Sequence, residues 1–333
     1  MPSETRTLFR RFAALALPLV VLLALYVVLD PFQIMRRDTD YQMRHGVAPN
    51  REVMSTEILL ERRSQTLYDA FILGNSRSLA FHTPDWLDWI RPATPFHYDA
   101  SAETLLGLRG KLQVLERERI PLRHALIVLD HDLLQHTLDT ADIVTIKHPA
   151  VSGGSRLRFH AVFLKAFFSD LFFVKYLDYR LFSTWRPYMT GAIDPRAYGR
   201  NAETNDIMFV EAEAQIASDP DRFYAPSRWQ GIDRTPRDAE PVIGNLQFRM
   251  LQEVSAAFVR LHADYQIVVS PDFGRVRLNP SDVAILRDLF GAERVHDFSR
   301  DTELGVNIRD WYETAHYRPH VAREIMRHIY GRD

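Results

Sequence analysis

The sequence predicts an α/β protein with a parallel sheet and helices on both faces, preceded by one N-terminal transmembrane helix and carrying an aromatic-rich insertion. Short apolar runs that end at a glycine, an acidic cluster or a proline alternate with segments of helical spacing. This alternation is typical of βαβ units, in which crossover helices cover both faces of parallel strands. The transmembrane helix is predicted from an uncharged stretch near the N-terminus.

The composition is that of a globular protein. The chain has 333 residues, of which 46% are hydrophobic and 25% are charged, and its formal net charge is −2. These values exclude wholesale disorder and fibrous repeats, and the near-neutral charge argues against a nucleic-acid binder. The absence of cysteine excludes a disulfide scaffold, a thiolate zinc site and a cysteine nucleophile, but it leaves the compartment open.

Residues 12–29 form the predicted membrane anchor. These 18 residues carry no charge. As a helix they would span about 27 Å, close to the thickness of the hydrocarbon core of a bilayer, and membrane helices tolerate a proline such as Pro18. Three arginines lie within residues 1–11, so the positive-inside rule puts 1–11 in the cytoplasm and the chain after about residue 30 outside. A cleaved signal peptide and a buried core helix remain alternatives, although no small-residue cleavage site follows.

The rest of the chain divides into a predicted stalk at 30–65 and an α/β domain at 66–333. Buried strands are predicted at 68–73, 124–129 and 266–270. Helices are predicted at 105–119, 244–261, 281–290 and 319–330. In the first of these helices the charged residues between the leucines, Lys111 among them, are expected on the surface.

Residues from about 145 to 240 interrupt the α/β pattern. Aromatic side chains are dense between 159 and 185, and a stretch rich in Pro, Gly, Asp and Arg follows. We interpret this segment as an insertion into the domain. Its aromatic helix could be a lid, a membrane-surface contact or a partner surface, or it could pack on its own domain, and the sequence leaves these alternatives open.

A candidate nucleophile follows the first predicted strand, in the run Gly74-Asn75-Ser76-Arg77-Ser78. A glycine permits a sharp turn, and ligands of open α/β sheets bind at the carboxyl ends of the strands. Ser76 is a weak nucleophile unless a base reaches its hydroxyl. The motif Gly-x-Ser-x-Gly is not met, because Ser78 occupies the second glycine position. A turn with a capping serine is the alternative interpretation.

A candidate base lies near the C-terminus. Glu313 and His316 are three residues apart, and in a helical turn this spacing places both side chains on one face. A carboxylate beside an imidazole fixes its tautomer and stabilises the imidazolium formed during proton transfer. Ser76 as nucleophile, His316 as base and Glu313 as orienter therefore have complementary chemistry. The alternative is a surface turn that happens to carry Glu and His.

These two motifs and their order resemble the SGNH (GDSL-like) hydrolase superfamily. The resemblance is to its membrane-anchored periplasmic branch, which includes alginate O-acetylation proteins and the D-alanyl transfer protein of teichoic acids. It rests on Gly74-Asn75-Ser76 and on Glu313-Thr314-Ala315-His316-Tyr317, and it covers roughly 65–145 and 240–333. It implies a flavodoxin-like sheet and a catalytic Ser76, His316 and carboxylate.

The chain departs from the pattern of that family at three places. Glu313 replaces the usual Asp, which other triads tolerate. Ala102 stands where the family has an oxyanion-hole glycine, so the amide donor would come from Ala102 or Ser101. The family's oxyanion asparagine is replaced by Asp130-His131-Asp132. An anionic aspartate repels the developing charge, and one lost donor costs about 10²–10³ in rate. Either His131 substitutes as donor, or the site is altered or inactive.

Other polar residues near Ser76 are assigned with alternatives. Asn75 and Arg77 are candidate substrate contacts, and Arg77 could pair with an anionic sugar or phosphate or simply be salt-bridged. The acidic and histidine residues between 130 and 136 fit no standard metal spacing, so no metal and no cofactor is predicted.

The sequence thus predicts an extracytoplasmic acyl-ester hydrolase or O-acyltransferase on the bacterial cytoplasmic membrane. Its substrate would be a cell-envelope polysaccharide, and it would act through an acyl-Ser76 intermediate. A transferase would need a membrane protein that delivers acyl groups, as the resemblance implies. The alternative is a catalytically inactive accessory subunit of a polysaccharide assembly or export complex, which binds glycan or partner proteins.

Overall fold

The structure is a computed structural model that describes residues 3–35, 41, 45–196, 198–225 and 229–331. The chain divides into two compact units. The helical unit comprises Met1–Pro49 and His160–Pro195, and the sheet unit comprises Asn50–Phe159 and Arg196–Asp333.

The sheet unit is built on five parallel strands. The strands among the described residues are β1 (Ala70–Gly74), β2 (Pro95–His97), β3 (His124–Leu129), β4 (Gly199–Arg200), β5 (Ile207–Met208), β6 (Arg237–Asp238), β7 (Asp264–Val269), β8 (Val276–Arg277) and β9 (Val295–Asp297). The central sheet has the order β2-β1-β3-β7-β9, with β1 paired in register to β3 from Ala70↔His124 to Gly74↔Val128. Counted along the chain within this sheet, the order is 2-1-3-4-5, as in flavodoxin-like sheets. Two small ladders, β4 with β5 and β6 with β8, lie outside it.

The helices surround this sheet or belong to the helical unit. They are α1 (Ser3–Leu29), α2 (Arg51–Arg62), α3 (Thr83–Ile90), α4 (Leu105–Arg117), α5 (His131–Gln135), α6 (Pro149–Ser152), α7 (Arg156–Phe168), α8 (Phe172–Phe182), α9 (Val210–Ser218), α10 (Pro220–Phe223), α11 (Asn245–Arg260), α12 (Pro280–Phe290) and α13 (Pro319–Tyr330).

Both faces of the central sheet are buried. Ile72 and Leu126 belong to one core cluster together with residues of α3 and α13. Because neighbouring residues of a strand point to opposite faces, Phe71 and Ile127 lie on the other face, and they too are 0% exposed. Strands buried on both sides read as continuous apolar runs. This explains why the sequence pattern found β1, β3 and β7, and the predicted parallel α/β sheet is confirmed.

Two strands and one helix differ from the sequence prediction. Strands β2 and β9 are only three residues long, too short to give a pattern. Helix α2 lies in the segment predicted as a stalk, but from Asn50 onward that segment belongs to the sheet unit. Ile58 and Leu59 of α2 are fully buried, and Asn50 caps the helix by accepting a hydrogen bond from Val53 N at 3.0 Å. The other part of the predicted stalk includes 36–40 and 42–44, which lie outside the described residues.

The predicted anchor, 12–29, falls within α1. The side chains of residues 3–10, 13 and 15 lie outside the described part of the chain. Among the residues that are described, no helix is both long enough and apolar enough to cross a membrane.

The predicted insertion is divided between the two units. Its aromatic part, from His160 to Pro195, belongs to the helical unit with α1, whereas the part from Arg196 onward belongs to the sheet unit. Residues 197 and 226–228 of the insertion lie outside the described residues.

Four buried charges, which we call the four-charge cluster, join α2, α4 and two loops of the sheet unit. They are Glu52, Glu103, Lys111 and Lys147, and none is more than 1% exposed at its side chain. Lys147 Nζ lies 2.6 Å from Glu103 Oε1, and Lys111 Nζ lies 3.3 Å from Glu52 Oε2 and donates to Glu103. The expectation that Lys111 lies on the surface is therefore wrong. A lysine in a helix pattern is usually solvated, but here two carboxylates from other segments offset the cost of burying it.

The two carboxylates of the cluster differ in their pKa, and burial raises that of Glu52. Burial alone would raise the pKa of Glu103, but the ammonium groups of Lys111 and Lys147 outweigh this and hold its pKa below the usual range. The packing is so close that a Cβ on Gly107 would stand 2.0 Å from Glu103 Oε1. Glycine at 107 is therefore required by the carboxylate, not by the helix.

We expect Lys111→Met to destabilise the sheet unit by about 3–5 kcal/mol, because it leaves buried carboxylate charge without one of its two cations. Urea unfolding of the detergent-solubilised chain measures this change. Lys165→Met, at an exposed lysine of α7, is the control and should change the unfolding free energy by less than about 0.5 kcal/mol. Equal unfolding free energies for the two variants would contradict the account.

Candidate active site

The candidate site lies next to β1, where the order in which strands are added to the central sheet reverses. After β1 the chain first builds β2 on one side and then β3 on the other, and such a switch point leaves a crevice at the carboxyl ends of the strands. The turn begins at Gly74, which has φ +155, and a Cβ there would stand 2.4 Å from the carbonyl oxygen of Val128. The turn that carries Ser76 therefore needs the glycine that the sequence offers.

Asn75 and Arg77 are structural members of this turn. Asn75 Nδ2 donates to Asp130 Oδ2 at 2.7 Å, and Asn75 Oδ1 accepts from Arg77 N at 3.0 Å. The Arg77 guanidinium donates to the carbonyl oxygen of Pro271 at 3.1 Å and to Asp272 Oδ2 at 2.8 Å, and its Nε lies 3.3 Å from Asp130 Oδ2. Of the two alternatives for Arg77, the structure has the salt-bridged one. It ties together the segments that follow β1, β3 and β7.

Ser76 itself is partly buried, and its hydroxyl makes no hydrogen bond to the described residues. The chain after β2 runs alongside the turn, because Ala100 N donates to Gly74 O at 3.2 Å. Ser101 and Ala102 follow directly, and Ala102 has φ +44, a left-handed conformation that favours glycine. Within the described part of the chain, the backbone N–H groups of Ser76, Ser101 and Ala102 donate no hydrogen bond. They are available donors near the candidate nucleophile.

Glu313 and His316 form a hydrogen-bonded pair. Glu313 Oε1 is hydrogen-bonded to His316 Nδ1, and its other oxygen accepts from Ala315 N at 2.8 Å. Burial would raise the pKa of Glu313, but the bond from His316 outweighs it and lowers that pKa. The carboxylate therefore stays ionised and fixes the proton of the imidazole on Nδ1. The pair lies in a loop closed by the Trp311↔Tyr317 bridge, not in the expected helical turn.

His316 lines a cavity of about 400 Å³ in the sheet unit. The ring of Phe209 lies 5.3 Å from that of His316 and stacks on Tyr312 at 4.7 Å. The other lining residues are Arg196, Tyr198, Glu211, Ala212, Gln215, Phe223 and Glu313. Most of them come from the second part of the predicted insertion. This part of the insertion therefore builds the wall of a cavity around the candidate base.

Two features of the predicted site are not brought together. Among the described residues, no hydrogen bond joins Ser76 to His316, and Ser76 does not line the cavity of His316. Asp130 occupies the position of the expected asparagine, and its second oxygen caps α5 by accepting from Leu133 N at 2.9 Å. His131 is partly exposed beside it, and its Nδ1 lies 3.4 Å from Asp132 Oδ1.

A hydrogen-bonded network of the buried side chains of Ser78, His97 and Asp206 lies next to the turn of Ser76, and the sequence did not predict it. Ser78 Oγ is hydrogen-bonded to the Asn75 carbonyl oxygen at 2.7 Å and to His97 Nε2 at 3.0 Å, and His97 Nδ1 lies 3.1 Å from Asp206 Oδ1. Burial would raise the pKa of Asp206, but hydrogen bonds led by that of His97 lower it. Ser78 and His97 are 0% exposed and Asp206 is 3% exposed. This network therefore holds the insertion against the turn and does not contact a substrate.

No local sequence pattern could have predicted this network, because 109 residues separate His97 from Asp206. In the described residues, no group of three or more His, Asp or Glu side chains is arranged to hold a metal ion.

Comparison of the chain with protein-family models, with curated proteins and with solved structures found no match.

We expect His97→Leu to lower the unfolding free energy of the sheet unit by about 1–3 kcal/mol, because it leaves Asp206 and Ser78 buried with one partner fewer. Thermal unfolding followed by circular dichroism measures the loss. His262→Asn is the control, since His262 has φ +53 and Asn tolerates that conformation. A His97→Leu variant as stable as this control would show that the Ser78–His97–Asp206 network contributes nothing to the unfolding free energy.

Proposed function

We propose that the sheet unit is an SGNH-like acyl-ester hydrolase or O-acyltransferase with Ser76 as nucleophile, His316 as base and Glu313 as orienter. The observation that carries the proposal is the Glu313–His316 pair. Its carboxylate holds Nδ1, while Nε2 makes no hydrogen bond in the described part of the chain, and the ring lines a cavity large enough for a sugar ring or an acyl group. The switch-point turn with Ser76 adds the nucleophile that the cysteine-free sequence requires.

The proposed reaction proceeds through an acyl-serine. His316 Nε2 takes the proton of the Ser76 hydroxyl as Oγ attacks the ester carbonyl. The oxyanion is stabilised by the N–H groups of Ser76 and of Ser101 or Ala102. The tetrahedral intermediate collapses, the C–O bond breaks, and the leaving alcohol oxygen receives the proton from His316. Water or a sugar hydroxyl then attacks the acyl-enzyme with His316 again as base.

The Ser76–His316 hydrogen bond would form on substrate binding. Catalytic hydrogen bonds in free enzymes are often long and tighten only in the complex. The first step of the mechanism therefore requires the loop of residues 312–316 or the Ser76 hydroxyl to move when the cavity is filled.

The proposed substrate is a cell-envelope glycan ester, and the aromatic cavity supports it. Tyr198, Phe209 and Tyr312 line the cavity, and aromatic side chains suit a ligand with an apolar side and hydroxyl groups. The proposed location is the bacterial cytoplasmic membrane, with 1–11 inside and the sheet unit outside. The uncharged stretch 12–29 supports this, since it falls within one helix, α1. A transferase would draw its acyl group from a membrane protein.

A second candidate function is favoured by Asp130. In place of an oxyanion-hole asparagine, this carboxylate would repel the developing charge and cost about 10²–10³ in rate. Together with the absence of a hydrogen bond between Ser76 and His316 among the described residues, it favours an inactive accessory subunit that binds glycan for a polysaccharide assembly or export complex.

Labelling with a fluorophosphonate probe, together with hydrolysis of 4-nitrophenyl acetate, tests the enzymatic proposal. We expect the native chain to be labelled and Ser76→Ala to lose both labelling and hydrolysis, because Oγ is the atom that forms the covalent bond. Ser218→Ala, at an exposed serine of α9, should behave like the native chain. Equal labelling of native and Ser76→Ala chains would refute Ser76 as nucleophile.

The accessory-subunit candidate predicts a different result. The native chain would not be labelled but would bind cell-envelope oligosaccharides in calorimetry. We expect Phe209→Ala to weaken that binding at least tenfold, because it removes the ring between His316 and Tyr312. Ser76→Ala should bind like the native chain. Binding that is unchanged in Phe209→Ala would exclude this cavity as the glycan site.

A further inference from the structure

Helix α8 of the helical unit has apolar side chains on two opposite faces. Phe172 and Tyr176 are buried at 6% and 2% exposure. Val174 and Leu181, which lie seven residues apart and so share a face, are 51% and 72% exposed. Leu171, which directly precedes the helix, and Phe182, its last residue, are also exposed, at 67% and 63%. A helix that is apolar on both sides needs an apolar environment on both.

The buried face of α8 packs against the segment that follows α1. Phe32 stacks on Phe172, with ring centroids 4.8 Å apart, and also lies 5.5 Å from Phe163 of α7. One turn before the end of α1, Tyr26 contacts Phe167 edge-on at 5.2 Å. The α7–α8 pair is therefore fixed to the carboxyl end of the apolar helix, within the same unit.

Residue types that are common at membrane interfaces follow the exposed face in the sequence. The apolar residues of this face are accompanied by Trp185 and Tyr188, which are 40% and 44% exposed, and such aromatic residues are typical of the headgroup level. Lys165 and Arg180 are exposed, Asp170 is the exposed acid of the turn, and Asp178 on the same side of α8 is paired with Arg186 Nε at 3.0 Å. Exposed apolar patches of this kind on a soluble protein mark a docking surface.

We propose that the exposed face of α8, defined by Leu171, Val174, Leu181 and Phe182, inserts into the interfacial layer of an anionic phospholipid bilayer. The inference rests on the proposed anchor, because an α1 that crosses the membrane would leave it near residue 30, where Phe32 holds α8. Interfacial helices bury their apolar face about 5–10 Å into the boundary of headgroups and acyl chains. The aromatic insertion is then a second membrane contact, beside the anchor.

The chain contains no cysteine, so single spin labels report this contact without background. The full chain is reconstituted in nanodiscs with anionic phospholipid and labelled at Leu171→Cys, at Val20→Cys in α1, or at Val259→Cys. Val259 is the matched control, because it is 70% exposed on α11 of the sheet unit. Collision rates with oxygen, which concentrates in lipid, and with a nickel chelate, which stays in water, are compared.

The proposal predicts an oxygen-to-nickel collision ratio at Leu171 at least fivefold above that at Val259, and a high ratio at Val20. A water-like ratio at Leu171 with a lipid-like ratio at Val20 overturns it and leaves the anchor in place. A water-like ratio at both positions overturns the anchor as well. Strong dipolar broadening between Leu171 labels, with low access to both reagents, overturns it in favour of a second copy of the chain. Labelling of Ser76 is measured separately and does not depend on these outcomes.

Discussion

The candidate site depends on the contacts that the Asp130 carboxylate makes with three segments of the sheet unit. It receives the Asn75 amide at 2.7 Å, faces the Arg77 guanidinium at 3.3 Å and caps α5 through Leu133 N. One side chain thus fixes the turn after β1, the start of the helix after β3 and the arginine that reaches Asp272. The same carboxylate stands where the resemblance leads us to expect an oxyanion donor, so the interaction that shapes the turn of Ser76 would also leave the proposed site without that donor. The proposed chemistry at Ser76 would then use backbone N–H groups or the side chain of His131.

The second constraint is buried charge away from the site. In the four-charge cluster each carboxylate lies within ion-pair distance of both lysines, and Glu103 makes the shorter contacts. Asp206 plays the corresponding part on the insertion side, where His97, Thr83 and Thr204 all bond to it. Buried ionic groups of this kind are costly unless fully paired, so they specify one arrangement of the segments that carry them. They explain how a long insertion can form a defined cavity beside His316.

The sequence predicted the features that depend on local pattern. Strands β1, β3 and β7 are five or six residues long and consist mainly of buried apolar residues, and Glu313 and His316 are neighbours in the chain. It failed where partners come from distant segments. The helical pattern predicts Lys111 on the surface, because Glu52 and Lys147 are distant in sequence and no local pattern indicates that they contact this region. The Ser78–His97–Asp206 network joins three separate segments, and His97 lies in a strand of only three residues. The predicted contact of Ser76 with His316 joins motifs near opposite ends of the domain, and no local pattern fixes how closely they approach.

The most direct test of the account is a crystal structure of the sheet unit's Ser76 phosphonyl adduct, obtained on the full chain in detergent. The account predicts that the phosphonyl oxygen accepts hydrogen bonds from Ser76 N and from Ser101 or Ala102 N. It also predicts that His316 Nε2 approaches within hydrogen-bond distance while Arg77 keeps its bonds to Asp130 and Asp272. An adduct whose oxygen points away from these amides, or an Arg77 that leaves Asp130 to bind the ligand, would contradict it.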